Sequence, residues 1–212
     1  LVLIFGSNNK MYWSPALIVM IILLSSFSLD KINWTKKISS IQASIYQPNL
    51  TLEQKWSSEG VRQTMSMIEN SISNAHEGEF IFFPETAIIF DKADLHKWIS
   101  DIDKEAKSRN ISLISGIIAR DLQNPGLIER YNRIEGFGAI KGHYDKIHLV
   151  PFGEYIPLRS YLDKIFDILG INLINTLPGE TYSLLKAHNI AISASICFEI
   201  AFSDLVDRKS VV

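Results

Sequence analysis

A thiol, a carboxylate and an ammonium, each at the end of an apolar segment, are the side chains of this sequence that could do chemistry together. Cys197 is the single cysteine of 212 residues. It closes the run Asn-Ile-Ala-Ile-Ser-Ala-Ser-Ile-Cys at 189–197, and Glu199 follows two positions later. A lone thiol makes no internal disulfide, so it either packs as a small apolar group or reacts, and the end of a strand favours reaction. Glu85 is the first side chain beyond Pro84 in Phe82-Phe83-Pro84-Glu85-Thr86, and Lys146 lies in Tyr144-Asp-Lys-Ile-His-Leu-Val-Pro-Phe-Gly-Glu-Tyr-Ile-Pro157. The set supplies a nucleophile, a group to take its proton and a cation for the oxyanion formed by attack on a carbonyl. Free glutamate and cysteine pKa values differ by about 4 units, so unassisted proton transfer is uphill by roughly 5 to 6 kcal/mol. An ammonium beside a thiol and apolar walls around a carboxyl both narrow that gap. Taken singly, the same residues also fit a helix cap, a surface lysine with a snorkelling stem and a loop glutamate at Glu154.

These side chains need elements to hold them. Ile41, Ala43 and Ile45 alternate as in a strand, broken by Gln47-Pro48-Asn49. Val61, Met65, Ile68 and Ile72 fall at helical spacing and predict one helix from Glu53 to about Ala75. Glu79 to Glu85 predicts a short strand stopped by Pro84. Leu95, Trp98, Ile99, Ile102 and Ala106 mark a second helix, and Ile111 to Ala119 another strand. Ile128 to Ile140 reads as two strands around Gly136 and Gly138, and His143 to Val150 as a third ending at Pro151. Within that third strand Tyr144, Lys146 and His148 would share one face. Leu158 to Thr181 reads as a weaker helix and loop. The strand-helix-strand order predicts an α/β domain over residues 38–212.

The first thirty residues differ in kind. Trp13 to Leu29 carries no charge and lies between Lys10 and the pair Asp30, Lys31. Its length is about the shortest that crosses an apolar core of roughly 30 Å, so a transmembrane helix is expected at 13–29, with 1–12 as the end of a preceding membrane segment or loop. Trp13 and Trp34 lie near its ends, where amphipathic rings favour the headgroup region. The lysines after the span, Lys31, Lys36 and Lys37, outnumber Lys10 before it, which by charge alone would put the large domain in the cytoplasm. The chain opens on Leu1 and stops fifteen residues after Cys197 (198 to 212), and is expected to be a piece of a longer protein.

A net charge of -2 and 47% hydrophobic content give no basic excess for nucleic acid and no acidic tail. The five histidines show no zinc spacing, and no Gly-rich phosphate loop follows a strand, so neither metal nor cofactor is expected. A papain-like pairing of Cys197 with His148 or His188 has no local support.

Glu, Lys and Cys in this order, in the contexts Phe-Pro-Glu, Asp-Lys-Ile-His-Leu and Cys-Phe-Glu, resemble the carbon-nitrogen hydrolase (nitrilase) superfamily. More narrowly, His148 to Pro157 and Cys197 to Ile200, preceded by an apolar span, resemble the apolipoprotein N-acyltransferase family. Gln42, Gln47-Pro48, Lys55-Trp56, Tyr131-Asn132 and Pro178-Gly179 add to the match. The resemblance implies a nitrilase-like αββα sandwich, incomplete at its C-terminus. It implies Glu85 as general base, Lys146 as oxyanion stabiliser and Cys197 as the nucleophile that carries an acyl thioester. Glu154, Glu199 and Trp56 match supporting positions of the active site. Phe198 stands where the family usually has tyrosine, and Phe83 replaces the usual tryptophan. Implied partners are a phospholipid acyl donor, a diacylglyceryl-modified apolipoprotein acceptor and the membrane. The implied location is the bacterial inner membrane with the catalytic domain on the periplasmic side, against the lysine count. Alternatives are an amidase of the same superfamily acting on a small amide, and a membrane-anchored fragment without activity.

Overall fold

The structure, a computed structural model, describes residues 13–32, 40–91, 94–120, 129–157, 175–187 and 189–205. The chain divides into two compact units, Leu1–Ser40 and Ile41–Val212.

In the first unit the apolar run forms helix α1 (Trp13–Leu29), with the bounds the sequence predicts. Its large side chains from Leu17 to Leu24, with Phe27 and Leu29, are exposed. Among the described residues no helix is long and apolar enough to cross a membrane. The flanking 1–12 lies outside the described residues.

The second unit is built on one sheet and the helices over one of its faces. Strands β1 (Ala43–Ile45), β2 (Phe80–Phe82) and β4 (Ser112–Arg120) run parallel, and β5 (Glu129–Gly138) pairs antiparallel with β4 from Ser112↔Gly138 to Arg120↔Arg130. Strand β3 (Ile88–Asp91) joins β4, while β6 (His143–Asp145) and β7 (Asn175–Thr176) join β5. Alternation along β2 and β4 sends Ile81, Phe83, Leu113 and Ile117 to one face, where they pack with Ile68 and Ile72 of α3 (Ser58–Asn74) and Ile99, Ile102 and Ala106 of α4 (His96–Ser108). Phe80, Ile114 and Tyr144 pack on the other side with Leu185 and Ala187 of the hairpin β8 (Leu185–Ala187) and β9 (Ile190–Ile192). Helices, main sheet and hairpin thus make three layers, and the catalytic candidates come from the segments that leave them.

Several departures from the predicted elements have clear causes. The helix expected from Glu53 to Ala75 is two, α2 (Leu52–Trp56) and α3, because Ser57 turns extended and caps α3 by accepting from the Gly60 N–H. A side chain at Gly60 would collide with the Gln54 carbonyl, its Cβ falling 2.0 Å away. The two strands expected around Gly136 and Gly138 are one, β5, which ends at Gly138 with φ +77. The strand expected to reach Val150 stops at Asp145, because the Ile147 and His148 N–H groups bond the Glu199 carboxylate instead of a neighbouring strand. Strand β3 was not predicted, and most of the helix expected from Leu158 lies outside the described residues.

Candidate active site

The segment that carries Glu85 crosses the sheet directly above Gly116. The Gly116 N–H donates to the Pro84 carbonyl at 3.2 Å, and a Cβ on Gly116 would lie 2.4 Å from the Thr86 nitrogen and 2.7 Å from the Glu85 Cα. Only hydrogen fits between strand and loop. Thr86 takes a left-handed φ of 48° as the chain turns back toward β3. From α2, Lys55 Nζ donates to Thr86 Oγ1 at 2.7 Å and reaches the Glu85 carbonyl at 3.4 Å. Partial burial lowers the Lys55 pKa, against the field of Glu85, which raises it.

Lys146 emerges where β6 leaves the sheet. Its backbone N–H still bonds the Asn132 carbonyl at 2.9 Å, and its carbonyl accepts from Gly179 at 2.8 Å. Just before it, Asp145 is held by Arg133 of β5 through two bonds, Nε to Oδ1 at 2.6 Å and Nη2 to Oδ2 at 2.9 Å. The Lys146 side chain is 1% exposed, and both oxygens of Glu154 lie 2.9 Å from Nζ. A buried ammonium needs such a partner. Glu85 Oε1 stands further off at 4.0 Å, with its side chain 36% exposed. Burial raises the Glu154 pKa, but the bonds from Lys146, the Val150 N–H and Asn132 outweigh it, and the carboxyl is held below its usual range. Between the two carboxylates lies Asn132, whose Nδ2 donates to Glu85 Oε1 at 2.6 Å and to Glu154 Oε1 at 3.1 Å.

Cys197 is exposed and opens a 3₁₀ turn, Cys197–Ala201, with φ +57. Cysteine in left-handed backbone costs of order 1 to 3 kcal/mol, and the sharp bend lifts the thiol clear of the chain before it. What secures this bend is Glu199. Its buried Oε2 accepts from the Ile196 N–H at 2.8 Å, while Oε1 accepts from Tyr144 Oη at 2.9 Å, Ile147 N at 2.9 Å and His148 N at 3.0 Å. Burial and this bond raise the Tyr144 pKa, keeping the phenol a donor. One carboxylate therefore fastens the thiol's turn to the backbone just after Lys146 and to the Tyr144 phenol before it.

The remaining predicted residues lie at the rim. Phe198 packs edge-on to Phe202 at 5.2 Å, and Phe202 stacks on His148 at 4.3 Å. Trp56 ends α2 and is more than half exposed; it is Lys55 beside it that reaches the Glu85 segment. A cleft of about 350 Å³ adjoins Glu85, walled mainly by Ile45, Tyr46, Pro48, Leu50, Phe82 and Pro84. The structure thus brings Glu85, Lys146 and Glu154 into one cluster and ties Glu199 and the Cys197 turn to the segment bearing Lys146. Asn132 and Lys55 enter the sequence reading only within matching dipeptides, and Gly116 not at all.

Comparison with known proteins shows the family of the chain. The carbon-nitrogen hydrolase family model matches residues 37–206, and the chain belongs to that family. It is also similar to proteins named apolipoprotein N-acyltransferase: 31% identical over 185 residues to that of Methylococcus capsulatus (86% of this chain, 36% of that one), and 31% over 219 residues to that of Wigglesworthia glossinidia brevipalpis (97% and 42%). The chain therefore spans well under half the length of these relatives. Among solved structures, a carbon-nitrogen hydrolase from Helicobacter pylori G27 shares the fold, with a TM-score of 0.50, 14% identity, and coverage of 81% of this chain and 56% of that one.

Proposed function

We propose that this chain carries the catalytic chemistry of an N-acyltransferase that moves an acyl group from a phospholipid to the α-amino group of a diacylglyceryl-cysteine on a lipoprotein. The reading rests on one observation above the others: the Glu85–Asn132–Glu154–Lys146 cluster, linked through Glu199 to an exposed thiol turn. Glu85 takes the proton of Cys197, and the thiolate attacks the ester carbonyl of the donor. Lys146 stabilises the tetrahedral oxyanion, and because Glu154 holds the ammonium in place, little reorganisation accompanies the step. Collapse breaks the ester C–O bond, Glu85 returns its proton to the leaving oxygen, and lysophospholipid departs, leaving an acyl thioester. The lipoprotein amine then attacks the thioester carbonyl, loses a proton to Glu85 and forms the amide, while the released sulfur regains a proton.

Two further observations favour a lipid donor over a small amide. The cleft beside Glu85 has mainly apolar walls, and exposed apolar side chains recur on the segments that bear the cluster, with Phe152 81% and Ile200 69% exposed. In the other unit, α1 exposes apolar residues on all sides, a surface suited to lipid at the bacterial inner membrane. The test is mass spectrometry of the full chain after exposure to phosphatidylethanolamine vesicles. An adduct of one acyl chain on Cys197, discharged by a diacylglyceryl-cysteine peptide and absent in Cys197→Ala, is the expected result. A chain that binds vesicles yet never carries an acyl group, or that hydrolyses small amides equally well without residues 1–40, overturns the proposal.

A further inference from the structure

Asn132 bonds both carboxylates of the cluster through its side chain and the Lys146 backbone through its carbonyl. Its backbone carbonyl holds the Lys146 N–H at 2.9 Å, and its single side-chain nitrogen spends both hydrogens on carboxylates, on Glu85 at 2.6 Å and on Glu154 at 3.1 Å. The residue is 9% exposed and its register opposite Ile118 in the strongest pairing of the sheet leaves it no freedom to drift. The amide orientation is dictated by chemistry. An amide oxygen turned toward two carboxylates would meet only acceptors, so the nitrogen must face them. The consequence is that, among the described residues, Oδ1 is buried with no hydrogen-bond partner. Buried acceptors are ordinarily satisfied, and one left unbonded lowers stability. That sacrifice is the mark of a side chain placed for function at some expense to the fold.

We infer that Asn132 is a positioning residue of the acyl-transfer site, which divides the work between the two carboxylates by pinning Glu154 against Lys146 and holding Glu85 apart from it, free to exchange a proton with the thiol. Without the amide, Glu85 at 4.0 Å could swing onto the ammonium and pair with it, leaving the thiol without a base. The charged groups facing Asn132 are Glu85 on the loop after β2, Lys146 and Glu154 on the segments after β6, with Lys55 of α2 reaching the Glu85 carbonyl from the far side. An aspartate in place of Asn132 would set three carboxylates against these two ammonium groups and force the cluster to retain a proton to higher pH.

The inference rests on the proposed thioester chemistry, and its test reads both separately. The full chain, as wild type, N132D and N132A, is treated with iodoacetamide from pH 5 to 9, and in parallel with phosphatidylethanolamine vesicles. Circular dichroism melting reports the fold. The expected result is a fall in thioester formation of about 10²-fold in both variants, the scale of a misplaced catalytic group. In N132D the acid limb of Cys197 alkylation moves up by about one pH unit, whereas in N132A the rate falls with a smaller displacement. A structural role alone would lower the melting temperature and leave the limb in place. Should N132D fail to fold, N132A carries the test, since it adds no charge. Folded variants that form thioester within about 3-fold of wild type, with an unmoved acid limb, overturn the inference. A wild type that alkylates at Cys197 with the limb moved by N132D, yet forms no thioester, overturns the proposed function and leaves the role of Asn132 standing.

Discussion

Lys146 and Cys197 are supported in opposite ways. Lys146 is buried, its neighbours Asp145 and Asn132 are locked in a ladder, and Glu154 faces it with both oxygens. Cys197 is exposed, left-handed and at the start of a short 3₁₀ turn. The difference follows from what each must do. A group that stabilises developing charge works best when fixed and dry, whereas a nucleophile must reach a substrate that arrives from outside. Rigidity is concentrated on the electrostatic side, while the thiol itself sits on left-handed backbone. Glu199 joins the two by hydrogen bonds, beside the stacking of Phe202 on His148.

Changes on the Lys146 side should therefore affect rate and stability together. Lys146→Met is expected to have the largest effect, removing the oxyanion partner for a loss of about 10³-fold in thioester formation. It also strands Glu154 without its cation, lowering stability by about 3 to 5 kcal/mol in urea unfolding. Equal stability would show that the pair is dispensable and the contrast drawn above is wrong. Glu199→Gln places N–H groups against donors at Tyr144, Ile147, His148 or Ile196, and should lower stability by about 2 to 4 kcal/mol. Because it loosens the turn as well, Cys197 alkylation should change while Lys146 stays paired, a split that thiol kinetics and unfolding would read separately. Gly116→Ala drives the Glu85 segment off the sheet; about 1 to 3 kcal/mol of overpacking is expected, with a rate loss near 10²-fold. Retention of wild-type rate would mean that Glu85 need not sit where Gly116 allows it.

Acid should weaken the Lys146 side. The Glu154 carboxyl is held below its ordinary value of 4.5 in the folded chain, so its contribution is complete above that value and is lost as pH falls through the lowered one. Comparing acid unfolding of the wild type with Glu154→Gln should show a shallower loss in the variant below about pH 4.5. The smallest effect belongs to the rim. Phe198→Tyr restores a hydroxyl at a half-exposed ring and is expected to change stability by less than about 0.5 kcal/mol, with any gain confined to turnover.

Much of this was legible in the residues, for reasons that can be named. Strands β2 and β4 and helix α4 followed from apolar periodicity, because each buries one face against the other. Glu85, Lys146 and Glu154 were legible because proline, glycine and charge interrupt apolar runs at the points where the chain leaves the sheet. The break between α2 and α3 was hidden, since Ser57 and Gly60 act through a cap and a backbone contact that leave no periodic trace. Asn132 and Gly116 were hidden for a related reason: their roles depend on which segment crosses them, and that is fixed by strand register rather than by local sequence. The bounds of α1 were legible because its uncharged apolar run stops at Asp30.

The bonds of Glu199 also set an order of events. All four of its donors come from residues earlier in the chain, three of them in the stretch from Tyr144 to His148, laid down about fifty residues before. The turn at Cys197 can therefore close on Glu199 only where the Tyr144 to His148 stretch is in place, so the display of the reactive sulfur is tied to the segment that bears the ammonium.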